Sequence, residues 1–417
     1  MPPRRLSLTA NFAWTLKGNL VYAACQWGML VVLARLGSPE AVGQFTLALA
    51  ISAPVFMFTN LQLAAVQATD AKGQYAFGDY FRLRIVATTA ALAGILLLAA
   101  GLRYSREAAL VVLAVALAKA IESVSDIYYG LQQRRERMDR ISLSMTSRGV
   151  LSLGALAVVF HATGSVAWGA LAMAAVWLVV LLAYDLRVAK RLPAEVSEPG
   201  RGSLAKLAWL ALPLGALAMM MSLNVNIPRS LIAHFLGDRE LGLFAAMAYV
   251  TVAGSTIMNA LGQAASPKLA GYYAGGDLRG FRRVLTKLLA SGAVLGAAGV
   301  GVAALAGRQV LALLYGAEYA VHNDVFVWLM MATAMTHLAA LLGNALTAAR
   351  CFAAQAPLYL LVTMATTAGC FLLVPGHRLF GAAAAMLLAA MVQLAGSAGM
   401  LAYVVTHCPH TPGSLKR

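Results

Sequence analysis

Leu36-Gly37-Ser38-Pro39-Glu40-Ala41-Val42-Gly43-Gln44-Phe45 recurs about 200 residues later, one residue shorter, as Leu236-Gly237-Asp238-Arg239-Glu240-Leu241-Gly242-Leu243-Phe244. Outward from these stretches, Asn60 pairs with Asn259. Tyr75-Ala76-Phe77-Gly78-Asp79 returns as Tyr273-Ala274-Gly275-Gly276-Asp277, and each copy is followed by Phe-Arg, Phe81-Arg82 and Phe281-Arg282. The agreement falls on turns and polar punctuation as well as on apolar bulk, so a shared greasy composition does not account for it. A duplicated membrane domain is the mark of many transporter folds.

Composition agrees. The 417 residues are 61% hydrophobic and 12% charged, with mean hydropathy +0.75, whereas soluble domains carry about 25% charged residues. Too few polar side chains exist to cover a surface facing water. Apolar runs of about 20 residues recur between short polar breaks, as transmembrane helices require. Alternating β-strands of a membrane barrel would not give runs as continuous as Ala87 to Gly101 or Leu379 to Val405.

The formal net charge of +16 invites a nucleic-acid reading, but the pattern of cations speaks for topology. Twenty-four of the 32 Lys and Arg fall at the N-terminus, every second loop and the C-terminus, among them Arg84, Arg148 and the group Arg134, Arg135, Arg137 and Arg140. Six lie on the opposite side, and Lys119 and Arg229 lie inside spans. This positive-inside bias predicts cytoplasmic termini and accounts for the charge with no nucleic-acid partner. The four cysteines show no metal-site spacing and read as buried thiols.

The expected helices cover about 9–35, 40–67, 79–102, 107–132, 140–161 and 164–189, then 206–236, 240–268, 281–306, 320–348, 353–375 and 379–406. The chain thus reads as an all-α integral membrane protein of about twelve transmembrane helices. Residues 1–190 form an N-terminal six-helix lobe, 191–205 a cytoplasmic linker and 206–417 a C-terminal six-helix lobe. An even number of helices per lobe makes the repeats parallel, with a substrate path expected in a central cavity between the lobes. Asp79 and Asp277 are expected to cap the helices that follow them.

No Walker motif and no hydrolase, kinase or transferase constellation is visible, so the chain reads as a transporter and not an enzyme. Polar residues inside spans are then the informative ones, because burying them is costly. Arg229 follows Asn224, Asn226 and Pro228 in an apolar helix. Its permanent charge needs a partner or a watery cavity, and it reads as an anion contact or as a lobe-internal ion pair. Lys119, Glu122, Asp126 and Tyr129 are spaced three, four and three, which places them on one helical face. They form either a self-neutralising ladder or a site coupling transport to H⁺ or Na⁺, with Glu122 and Asp126 as the carboxylates. No other cofactor is expected. Lys17 and Gln26 lie in the first helix, where Gln26 aligns with Asn226. Lys17 either lines the path or snorkels to headgroups. Arg350 is placed at the cytoplasmic mouth, where basic residues also meet anionic membrane lipids. His337 falls near the position of Glu122 in the second copy and reads more readily as a packed, hydrogen-bonded histidine.

Taken together, Asn11-x-x-Trp14-x-x-x-Gly18-Asn19, the turn from Ala34 to Phe45, Asn226-x-Pro228-Arg229, Phe235-Leu236-Gly237, Glu240 to Phe244 and Ser266 to Ala270 resemble bacterial polysaccharide-biosynthesis membrane proteins. These are the Wzx-type oligosaccharide-lipid flippases of the multidrug/oligosaccharidyl-lipid/polysaccharide (MOP) exporter superfamily. The resemblance spans nearly the whole chain through many small matches. It implies two helical bundles around a cationic cavity that opens alternately to either side and carries an undecaprenyl-pyrophosphate-linked oligosaccharide for capsule, exopolysaccharide or O-antigen. It also implies a working monomer and pathway partners such as a polymerase and glycosyltransferases. Arg229 is the residue that matches the motif; Lys17 and Lys119 are assigned on physical grounds alone. A drug or cation exporter of the same superfamily is the alternative, which calls for uncompensated carboxylates. A scaffold of a synthesis complex that transports nothing is a third reading.

Overall fold

The computed structural model describes residues 7–70, 73–101, 105–190, 204–349 and 352–407. The expected linker, apart from its last two residues, and Arg350 lie outside this set. The described chain is helical throughout, with no strand among these residues. Its elements are α1 (Leu8–Leu36), α2 (Pro39–Thr59), α3 (Leu63–Thr69), α4 (Phe77–Gly101), α5 (Arg106–Arg134), α6 (Met138–Thr163) and α7 (Val166–Val180). A π-turn (Leu181–Asp185) leads to α8 (Leu186–Lys190). There follow α9 (Leu204–Leu236), α10 (Asp238–Ala274), α11 (Leu278–Leu314), the single turn α12 (Ala317–Ala320), α13 (Asn323–Ala348) and α14 (Phe352–His407).

Eleven of the described segments are long and apolar enough to cross a membrane. The last of them holds two crossings, because Arg378 breaks α14 with φ 53° and ψ −135°. Twelve spans result, as the apolar runs require. The faces turned outward are apolar: Leu97, Trp209, Leu305 and Leu313 are each at least 74% exposed, as lipid contact demands.

The repeated turns behave as their sequence dictates. Gly37-Ser38 ends α1, and Pro39 occupies the first turn of α2, where its missing N–H costs nothing. In the second copy Gly237 takes φ 91°, and Asp238 and Glu240 sit in the first turn of α10. Asp277 caps α11 by accepting from the Gly280 N–H at 2.8 Å. Asp79 differs from expectation. Its helix starts two residues earlier, at Phe77, and Asp79 works from inside the first turn, its carboxylate reaching back to accept from the Ala76 N–H at 3.2 Å.

Contacts divide the chain into two compact units, Met1–Asn226 and Ile227–Arg417, so the boundary falls within α9. In the first unit α1 lies tightly on α6. A Cβ added to Gly18 would stand 2.8 Å from the Ser142 Cα, the small-residue approach that membrane helices use. The second helix of this unit is broken, where the sequence reads as continuous. Between α2 and α3, Leu61 and Gln62 both adopt φ 50°, a conformation that non-glycine residues seldom take. Backbone without helical bonds survives in a membrane where protein surrounds it or where it lines a water-filled cavity; Leu61 is buried and Gln62 is exposed. The second unit is cored by Leu269, Tyr273, Phe281, Leu341 and Leu346 from α10, α11 and α13. Arg378, at the break in α14, reaches Glu240 at 2.5 Å.

Candidate functional site

The polar face of α5 is the centre of the first unit. Four residues spaced three, four and three along a helix lie on one stripe, and neighbouring helices bring partners to each. Glu122 accepts from the Lys119 ammonium at 2.7 Å and from the Tyr22 hydroxyl of α1 at 2.8 Å, and stands 4.0 Å from the Arg148 guanidinium of α6. Asp126 accepts from Arg84 of α4 at 2.8 Å, and the same guanidinium donates to Asn60 at the end of α2. Arg148 also donates to the Tyr129 hydroxyl at 3.0 Å and lies 3.5 Å from Asp185, which accepts from the Ser144 hydroxyl at 2.6 Å. The Trp177 ring lies 5.3 Å from Arg148 and 5.8 Å from Lys119, close enough for both cations to use its π face.

Three charged residues of this network are not read as site residues from the sequence. Arg84 and Arg148 count there as topology charges at the cytoplasmic side, yet they are 0% and 1% exposed. Arg148 lies ten residues into α6, roughly 15 Å along the helix axis, a depth that the sequence already contained. Asp185 is fully buried. It ends the π-turn, a wound-in extra residue of the kind often found at functional positions. With these three the balance is exact in kind: Arg84, Lys119 and Arg148 against Glu122, Asp126 and Asp185.

The remaining sequence candidates are placed as follows. Lys17 lies on the exposed side of α1 with its ammonium 5.0 Å over the Trp14 ring. Gln26 is half-buried on α1, its amide nitrogen without a hydrogen-bond partner. Asn224 in α9 likewise keeps a buried oxygen without one. Asn226 is 6% exposed and donates to the Ser222 carbonyl at 2.9 Å and to its hydroxyl at 3.2 Å. In the second unit the Arg229 guanidinium lies 5.4 Å over the Tyr249 ring. His337 pairs with the Ser255 hydroxyl at 2.9 Å. The structure therefore gathers Lys119, Glu122 and Asp126 into one network within the first unit.

An all-helical membrane protein of two units, with a network of paired charges among the spans of the first, is the class that this architecture defines. Solved structures share the fold, two of them as follows. One is an inward-facing multidrug resistance MATE family transporter of the MOP superfamily (TM-score 0.73, 14% identity, covering 93% of this chain and 96% of that one). The other is the lipid II flippase MurJ in an inward closed conformation (TM-score 0.74, 8% identity, 92% and 86%). The chain belongs to the polysaccharide biosynthesis protein family, which it matches over residues 8–272. Among curated relatives it is 26% identical to the capsular polysaccharide biosynthesis protein CapF of Staphylococcus aureus over 396 residues, 93% of this chain and 97% of CapF. Family and fold agree with the resemblance carried by the sequence motifs.

Proposed function

We propose that this protein moves a lipid-linked oligosaccharide, carried on undecaprenyl pyrophosphate, across the bacterial inner membrane by alternating access. Membership of the polysaccharide biosynthesis family supports a role in building a surface polymer, and the transporter fold supports movement over catalysis. One structural observation weighs for an anionic cargo. Glu122, Asp126 and Asp185 are each met by a cation within 4.0 Å, so these three carboxylates are not bare sites to attract a cationic drug. Arg229 is assigned to the pyrophosphate, since a guanidinium matches phosphate oxygens and keeps its charge, and Lys17 keeps its own assignment as a substrate contact. Asn224, Asn226 and Gln26 supply neutral hydrogen bonds, and Lys119 acts by holding Glu122. Arg350 keeps its assignment at the cytoplasmic mouth on sequence alone. Coupling to H⁺ or Na⁺ through Glu122 or Asp126 belongs to the same proposal and requires Lys119 or Arg84 to release its carboxylate during the cycle. The termini are assigned to the cytoplasm and the working unit is taken as a monomer, operating beside membrane lipids, glycosyltransferases and a polymerase.

The test is a strain lacking the gene. Complete undecaprenyl-pyrophosphate-linked units should accumulate facing the cytoplasm while surface polymer is lost, with rescue by the wild-type gene and not by Arg229→Ala. A normal lipid pool with raised drug sensitivity would favour an exporter. Polymer yield unaffected by Arg229→Ala would favour a scaffold.

A further inference from the structure

The pairing of Asp126 leaves part of that carboxylate unexplained. Arg84 holds Oδ2 at 2.8 Å and is itself 0% exposed, yet the Asp126 side chain is 39% exposed. That exposure opens onto a cavity of about 200 Å³ within the first unit, lined by α1, α3, α5 and α6. Polar groups edge it, with Asn19 on α1 and Tyr129 and Gln133 on α5. Ser142 of α6 also lines it, 2% exposed and with no hydrogen-bond partner for its hydroxyl. Ala64, Met138, Ile141 and Met145 form an apolar floor. A fixed carboxylate oxygen, an amide, hydroxyls and an apolar floor match the two-sided chemistry of a pyranose ring, whose edge carries hydroxyl donors and whose face is C–H. Because Arg84 already balances Asp126, the cavity lacks the excess negative charge that would hold a bare cation in competition with a guanidinium. The remaining carboxylate oxygen accepts hydroxyl or amide N–H donors and repels a second carboxylate.

We propose that this cavity is a subsite for one neutral sugar of the transported oligosaccharide, with Asp126 as its principal acceptor. The proposal rests on the flippase reading for its biological meaning. It also gives the subsite a route to the backbone: the guanidinium that fixes Asp126 also holds Asn60, at the break before α3, and α3 contributes Ala64 to the cavity. A sugar bound to the remaining oxygen of Asp126 therefore shares that carboxylate with the guanidinium that reaches the broken helix.

Met138 and Met145 provide a direct readout. The full chain, purified in nanodiscs, is exposed to hydroxyl radicals with methyl glucoside, methyl N-acetylglucosaminide or methyl glucuronide, and oxidation at each methionine is followed by mass spectrometry. Both neutral glycosides should protect Met138 and Met145, and the glucuronide should not. Asp126→Asn, which keeps the shape and loses the charged acceptor, should weaken protection about tenfold in concentration. Retained near-ultraviolet circular dichroism shows that this variant is folded. A misfolded Asp126→Asn transfers the comparison to Asn19→Ala on the exposed face of α1, where weaker protection is again expected. Protection by sodium chloride alone, equal protection by the glucuronide, or none by any glycoside would overturn the subsite. Binding is measured without transport, so loss of protection alongside intact accumulation of lipid-linked units in the deletion strain defeats the subsite alone. Protection without that accumulation defeats the flippase reading.

Discussion

Arg84 bonds to Asp126 at 2.8 Å and, through its other terminal nitrogen, to Asn60, so one guanidinium joins α4, α5 and the interrupted second helix. Removing one partner of a buried pair leaves the other uncompensated, typically at a cost of about 3–5 kcal/mol. Asp126 is partly open to a cavity, which places the cost of Arg84→Ala toward about 3 kcal/mol. Thermal unfolding of the purified variant should show it, and Asp126→Leu combined with Arg84→Met should recover much of the loss. An additive double variant would mean that the two side chains do not interact.

Arg229→Ala should abolish surface polymer while leaving the melting temperature nearly unchanged. Arg229→Lys should retain a fraction of the activity, because a point charge replaces a fork of donors. Loss of one charged contact corresponds to roughly 10- to 100-fold in transport rate, scored by polymer yield and by flux in proteoliposomes. Equal activity of the Ala and wild-type proteins would remove Arg229 from the path.

Close packing of α1 on α6 makes Gly18 intolerant of bulk. Gly18→Val places side-chain atoms against Ser142 and should destabilise by about 1–3 kcal/mol. Gly94, which meets nothing within 4 Å, is the control and should accept alanine with no loss. Melting curves of the two variants make the comparison.

The strained break predicts an unusual tolerance for glycine. Gln62 is exposed and sits at φ 50°. Gln62→Gly should leave stability level or raise it slightly, whereas Gln62→Val should lower it by about 1–2 kcal/mol, because a β-branched residue resists the left-handed region. Denaturation of both variants in the same detergent decides between them.

For coupling, Glu122→Gln removes the charge that Lys119 and Arg148 share. If Glu122 exchanges a proton during transport, the variant should lose the pH dependence of flux while still permitting downhill movement. A pH profile identical to wild type would exclude Glu122 from coupling.

Much of the scaffold was legible in the sequence, because lipid imposes long apolar runs and the duplicated turns mark where they end. The end of the eleventh span at Pro375 and the start of the twelfth at Leu379 bracket the observed break at Arg378. The break at Asn60-Leu61-Gln62 left no such sign, since none of the three is Gly or Pro. It is accompanied by a tertiary bond from Arg84, 24 residues away. The α5 ladder was visible as spacing, but its partners were not. Counting Arg84 and Arg148 with their loops hid them, and their depth along α4 and α6 was the signal that placed them inside. Asp185 lies two residues before Arg187 and looks peripheral until the π-turn carries it inward.

The equality of three cations and three carboxylates in the α5 network has an electrical consequence. One elementary charge moving through the full membrane field exchanges about 2.3 kcal/mol per 100 mV. A unit whose embedded charges cancel and stay bonded to one another can swing or tilt with almost no such work from that network. The resting voltage across the membrane would then act chiefly on what lies outside it: Lys17, Arg229 and, on the proposed function, an anionic cargo.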